Sequence, residues 1–159
     1  MINKMDFNRY TNKAAEAIQG MMQLGGKLNH QALTPLHLLM VLISQKGGVV
    51  PRLLEKLGAD IGGLAENVQT GLVKLPQVSG GSGSHITNEM RKVLEDAESQ
   101  AGKLKDEYIS VEHLFLALLQ QREIADILKK SKVDEKSVLE ALKDVRGSER
   151  VIDQDPEGK

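Results

Sequence analysis

Apolar residues recur every three or four positions along most of this chain, which is the spacing of amphipathic α-helices. Residues that cap or begin helices stand before the apolar stretches at regular intervals. The pattern predicts four helices in each half of the chain. Those of the first half begin near Thr11, Thr34, Val50 and Asp60, and those of the second begin near Thr87, Ser110, Ile124 and Asp134.

Two of the predicted helices are apolar nearly all round. They cover residues 36–43 and 114–119, and the main polar exception in the first is His37. A helix without a wet face belongs in the interior of a domain, so we expect each of these to be the buried centre of its half. Glu112 should lie in the first turn of the second one, where the helix dipole favours a carboxylate.

The two halves are copies of one unit. Thr11-Asn12 recurs as Thr87-Asn88, and His37-Leu38 recurs as His113-Leu114, at the same separation along the chain. From residue 53 onward the separation becomes slightly shorter, as between Asp60 and Asp134. A tandem duplication of one helical unit predicts an all-α fold, in which two four-helix units form a pseudo-two-fold tandem repeat.

The repeat also sets the expected domain boundaries. We place repeat one at about residues 6–73, a Gly/Ser linker at about 76–85 and repeat two at about 86–145, all within one domain of residues 1–145. The linker assignment rests on Ser79-Gly80-Gly81-Ser82-Gly83-Ser84, a composition typical of flexible connections. Residues 146–159 are polar and without periodicity, so we expect a tail that leads out of the domain.

Composition narrows the class of function. The net charge is −1, and no stretch combines dense Lys/Arg with aromatics, which argues against nucleic-acid binding. The chain has no cysteine, which excludes disulfides, thiolate metal ligands and cysteine nucleophiles. Its apolar runs are far shorter than the ~20 residues of a membrane span, and its first residues lack the apolar region of a secretory signal. We therefore expect a cytoplasmic protein without a membrane partner.

No residue pattern indicates catalysis or a metal site. His37 and His113 have neither a carboxylate nor a second histidine three or four positions away on the same helix face. Their repeated placement favours a shared role in packing and hydrogen bonding. Gly25-Gly26-Lys27-Leu28 lacks the first glycine and the Ser/Thr of a phosphate-binding loop. The sequence thus predicts a binding module rather than an enzyme.

Three polar residues stand at helix starts or between helices. Thr11 is expected to cap its helix, and Glu112 is expected to interact with the helix dipole. Asp106 lies in Lys105-Asp106-Glu107, in a loop where it caps no predicted helix. We expect Asp106 to be a solvated loop charge whose removal changes stability hardly at all.

Several motifs resemble a known family. Thr34-Pro35-Leu36-His37-Leu38-Leu39 and Tyr108-Ile109-Ser110-Val111-Glu112-His113-Leu114 are similar to the repeats of the Clp N-terminal domain, which precedes the ATPase modules of protein-unfolding machines. Tyr10-Thr11-Asn12-Lys13, Leu75-Pro76-Gln77-Val78 and Arg150-Val151-Ile152-Asp153-Gln154-Asp155-Pro156-Glu157 resemble the disaggregase branch of that family.

The resemblance implies a function for this domain. In the family it binds unfolded or aggregated polypeptide through a groove, and the domain itself is not an enzyme and holds no cofactor. The family's groove positions fall here on three polar residues and three others: Thr11, Asp106 and Glu112, and Leu94, Ala97 and His113. Asp96, Gln100 and His113 are more polar than the family pattern at their positions.

The resemblance also implies a larger parent protein. The parent is expected to be a hexameric AAA+ ATPase whose absent modules use ATP and Mg²⁺ and which cooperates with a DnaK-type chaperone system, whereas the fragment is expected to be monomeric. An alternative stays open, in which the domain recruits adaptor proteins for a protease-linked unfoldase. The two parents differ in the modules beyond this domain, since the disaggregase has a long coiled-coil middle domain and the protease-linked unfoldase has a protease-docking loop.

Overall fold

The computed structural model describes residues 7–78 and 83–146, and in them it confirms the all-α tandem repeat with four helices in each half. A short 3₁₀ helix at Phe7–Arg9 precedes the first repeat. The helices of the first half are α1 (Asn12–Lys27), α2 (Pro35–Ser44), α3 (Val49–Lys56) and α4 (Ile61–Val73). Those of the second are α5 (Asn88–Lys103), α6 (Val111–Leu118), α7 (Arg122–Lys130) and α8 (Glu135–Arg146).

The helices begin where their capping residues stand. The Thr11 hydroxyl accepts a hydrogen bond from the Ala14 backbone N–H at 3.2 Å, and the Thr87 hydroxyl accepts one from the Met90 N–H at 3.1 Å. Each of these bonds satisfies a helix donor that has no partner within the helix. Asp60 caps α4 in the same way. The predicted helix starts at these three residues are therefore confirmed.

Helices α2 and α6 form the centres of the two repeats, as their apolar sequences predict. All of the α6 side chains from His113 to Leu118 are buried, and Phe115 is among the largest fully buried side chains of the described residues. α1 packs against α2, and α5 packs against α6. Across the repeats, α4 packs against α7 and α3 packs against α8, so the two halves share one core.

Short parallel pairings exchange backbone hydrogen bonds between the repeats. Strand β1 (Ala32–Leu33) pairs with β2 (His85–Ile86), and Tyr10 forms an equivalent isolated bridge with Ile109. The segment before the first helix of each repeat thus pairs with the segment before the second helix of the other repeat. The hydrophobic pattern does not predict these strands, because a pairing of two residues has no periodicity to detect.

Secondary structure reaches past two of the predicted boundaries, the end of the linker and the end of the domain. His85, the last residue of the predicted linker, belongs to β2, and the Val78 N–H donates to the Asn29 carbonyl at 2.8 Å. α8 continues to Arg146, one residue past the expected end of the domain. Residues 79–82 of the linker and residues 147–159 of the tail lie outside the described residues. Among those described, no helix is both long and apolar enough to span a membrane.

Candidate functional site

Asp106 is not the solvated loop charge that the sequence suggested. Its side chain is fully buried, and its Oδ2 lies 2.7 Å from Nε2 of His113. The other ring nitrogen of His113, Nδ1, accepts the Ser110 backbone N–H at 2.8 Å. Because Nδ1 accepts, the ring proton of the neutral imidazole is on Nε2, from which it is donated to Asp106. The prediction of an exposed Asp106 is therefore wrong.

Arg146 reaches the same carboxylate from the end of α8. Its Nη2 group donates to Oδ1 of Asp106, and its Nη1 group donates to Oε1 of Glu112 at 3.3 Å. The side chains of Arg146 and Glu112 are 12% and 15% exposed, so this ion pair forms the outer layer of the site. We call Asp106, Glu112, His113 and Arg146 the carboxylate cluster.

Burial keeps His113 neutral. Burial lowers the pKa of His113 below its usual value, although the hydrogen bond to Asp106 and the charge of Glu112 act in the opposite direction. Arg146 also opposes a positive charge on the ring. With His113 neutral, the four side chains together carry two negative charges and one positive charge at pH 7.

The first repeat has a different pair at the equivalent positions. His30 and His37 are the counterparts of Asp106 and His113 in the duplication, and Nδ1 of His30 lies 2.9 Å from Nε2 of His37. Nδ1 of His37 accepts the Thr34 backbone N–H at 2.9 Å. Burial, followed by the charge of His30, lowers the pKa of His37 to about 4. The shared role of the two repeated histidines in packing and hydrogen bonding is thereby confirmed.

Thr11 is tied to the segment that precedes the carboxylate cluster. Its side chain is buried and caps α1, while its backbone N–H donates to the Ile109 carbonyl at 3.0 Å. Arg9 and Glu98 form an ion pair that ties the same segment to α5. Thr11 is thus held next to the loop that carries Asp106, by backbone pairing that the sequence did not reveal.

The remaining predicted site residues belong to the core. Ala97 is fully buried and Leu94 is 9% exposed, both on α5. His113 is fully buried as well. The structure therefore brings Asp106, Glu112 and His113 together, with Thr11 adjacent. Leu94 and Ala97 lie on α5 among the buried residues of the core.

An open apolar groove lies along α8, next to the carboxylate cluster. Its cavity has a volume of about 370 Å³. It is lined by Leu104, which follows α5, and by five residues of α8: Leu139, Glu140, Leu142, Lys143 and Arg146. Leu104 and Leu139 are 38% and 43% exposed, so two large apolar side chains contribute solvent-accessible surface to the groove. We call this cavity the α8 groove. Sequence reasoning missed it, although Leu139 lies off the inward face of Val138 and Leu142.

Comparisons with known proteins identify the class and then the family. A tandem pair of four-helix units with a shared core is the fold of a solved Hsp104 N-terminal domain from Candida albicans, which matches with a TM-score of 0.83 and 25% identity. The match covers 91% of this chain and 96% of that one. The family model of the Clp repeat (R) N-terminal domain matches residues 9–131 and 86–157. The chain belongs to the Clp N-terminal domain family, as its motifs suggested.

Two similar relatives are ClpB chaperones. The chaperone protein ClpB of Clostridium tetani is 38% identical over 160 residues, and that of Bdellovibrio bacteriovorus is 36% identical over 152 residues. These matches cover 97% and 94% of this chain but 18% of each chaperone. The predicted branch of the family is thereby confirmed as that of ClpB chaperones, and the chain spans less than a fifth of the length of these relatives.

Proposed function

We propose that this domain binds unfolded or aggregated polypeptide on behalf of an ATP-dependent disaggregase. The observation that carries this proposal is the α8 groove, an apolar and solvent-open surface that shares Arg146 with the carboxylate cluster. Leu104 and Leu139 offer apolar contacts that depend little on client sequence. Asp106 and Glu112 supply the charged end of the site.

The six residues implied by the family have different parts in this proposal. Asp106 and Glu112 engage the client through their carboxylates. His113 and Thr11 hold the loop and helix that carry those carboxylates, through the bonds to Asp106 and to the Ile109 carbonyl. Leu94 and Ala97 support the site from the core.

Relatives support the proposal. The N-domain of ClpV, which has the same fold, has been solved in complex with a VipB peptide. The ClpB relatives are named as chaperones. We extend the proposal to the parent protein: an AAA+ ATPase that uses ATP and Mg²⁺ in other modules, assembles as a hexamer and works with a DnaK-type system. This domain then contributes client capture and no chemistry.

Fluorescence anisotropy with a labelled unfolded protein, α-casein, tests the proposal. Leu139→Ser should weaken binding about fivefold, because it removes about 1 kcal/mol of apolar contact. Val73→Ser is the matched control, since Val73 is 66% exposed on α4 and lies outside the α8 groove. The proposal fails if both variants bind α-casein as the unchanged domain does.

A further inference from the structure

Arg146 covers the carboxylates that the proposed function assigns to the client. The Asp106 side chain is fully buried and bonded to the Arg146 guanidinium, which also reaches Glu112. No client atom can contact Asp106 while Arg146 remains in this position. A site that is both functional and covered requires the covering side chain to move.

We propose that Arg146 is an internal competitor, and that a cationic side chain of a bound polypeptide, arginine in the first place, displaces it from Asp106 and Glu112. This inference rests on the proposed function and adds two features to it. It names the client segment, an arginine flanked by apolar residues. It also names the residue that limits access to the site.

Charge complementarity supports a cationic client. The two carboxylates of the cluster exceed the single guanidinium by one charge, because His113 is neutral. At the rim of the α8 groove, Glu140 and Lys143 offset each other. The carboxylate cluster therefore keeps one net negative charge even when Arg146 occupies it, which favours the approach of a second cation to these carboxylates.

The hydrogen-bond geometry favours arginine over lysine. Two different N–H groups of one guanidinium bond to two separate carboxylates, an arrangement that suits a planar fork and that a single ammonium matches less well. The contact with Glu112, at 3.3 Å, is longer than the roughly 2.7–2.9 Å typical of charged pairs. Glu112 is also the more exposed of the two carboxylates, so exchange of one guanidinium for another can begin there.

The α8 groove can bind the apolar residues next to the client arginine. Arg146 lines the α8 groove as well as the cluster, so a segment whose arginine reaches Asp106 lays its adjacent residues along Leu104, Leu139 and Leu142. The first repeat cannot offer the same site. His30 stands at the position equivalent to Asp106, and Leu72 stands at the position equivalent to Arg146.

Two peptides that differ in one atom group test the inference. Both carry the same leucine and phenylalanine residues and a fluorescein label, and the central residue is arginine in one and citrulline, its neutral isostere, in the other. The unchanged domain should bind the arginine peptide more tightly. Arg146→Gln should raise affinity for the arginine peptide about fivefold or more, because the accessible state of the carboxylates is no longer a minor one, and leave the citrulline peptide within about twofold.

A second measurement on the unchanged domain covers the case in which Arg146→Gln does not fold. The side-chain N–H resonance of Arg146 should shift much further at saturation with the arginine peptide than at saturation with the citrulline peptide, which contacts the α8 groove without displacing the guanidinium. An equal response to both peptides, or an Arg146→Gln effect that is the same for both, overturns the inference.

The outcomes separate this inference from the proposed function. If both peptides bind equally and Leu139→Ser weakens both, the groove binds polypeptide and the competitor role of Arg146 is wrong. If neither peptide nor α-casein binds, the proposed function fails and the inference fails with it.

Discussion

Asp106 occupies in the second repeat the position that His30 occupies in the first, and each side chain lies within hydrogen-bond distance of Nε2 of the histidine seven residues later. The duplicated scaffold thus holds one neutral pair and one charged pair in the same local geometry. Within the part of the chain that the structure describes, only the charged pair, Asp106 and His113, has an arginine bonded to it, Arg146 at the end of α8. This difference separates a structural pair from a candidate binding site.

Replacing Asp106 by alanine should destabilise the domain by about 2–3 kcal/mol, because it leaves a histidine and an arginine without their shared, buried acceptor. Urea unfolding followed by circular dichroism measures this change. Asp144→Ala is the matched control: the Asp144 carboxylate is 69% exposed in an ion pair with Lys56, and its loss should change stability by less than about 0.5 kcal/mol. Equal effects of the two substitutions would contradict the buried position of Asp106.

Stability should fall as the pH is lowered from about 7 to about 4. The pKa of His37 is lowered to about 4, below the usual 6.5 that holds in the unfolded chain. Between these values the unfolded chain binds more protons, so the contribution of the neutral ring is complete above about pH 7 and decreases on acidification. The loss from this one group is on the order of 3 kcal/mol, measured by urea unfolding at several pH values.

His30→Asp tests the cause of that pH dependence. A carboxylate at position 30 should raise the pKa of His37 and reduce the loss of stability on acidification, since Leu72 stands where a second arginine would oppose it. His85→Gln is the control, because His85 is exposed on β2. An unchanged pH profile in His30→Asp would show that the His30–His37 pair does not control it.

Thr11→Ala should lower stability by about 1 kcal/mol through loss of the α1 cap. Thr11→Ser keeps the hydroxyl and should lower it much less. Thr87→Ala removes the equivalent cap of α5 and should lower stability by a similar amount without changing α-casein binding. If Thr11→Ala weakens α-casein binding and Thr11→Ser does not, the binding effect comes from the position of Thr11 beside Ile109 and not from the loss of a helix cap. Thermal melting and anisotropy on the three variants together make this distinction.

The sequence predicts the helices well because their apolar faces and caps are local features. Thr11, Thr87 and Asp60 each act within one helical turn of their own position. The internal repeat further predicts that the two halves have the same fold and pack as a pair. The strands β1 and β2 escape prediction, because their stability comes from contact between segments that lie in different repeats, far apart along the chain.

The site is less predictable for the same reason. His113 finds its partner seven residues earlier, in the preceding loop, so inspection of the same helix face three and four residues away does not detect Asp106. Arg146 lies 40 residues beyond Asp106, in a stretch whose polar sequence is typical of a tail. Only the packing of α8 against the other helices brings the guanidinium to the carboxylate.

Chemical-shift mapping of the domain by NMR during titration with unlabelled α-casein tests the central claim most directly. We expect the largest amide shifts around Leu104, Asp106, Glu112 and Leu139, on the α8 groove and the carboxylate cluster. Shifts confined to the cavity between the repeats, which is lined in part by Thr34, Glu89 and Glu123, would contradict the proposed binding site.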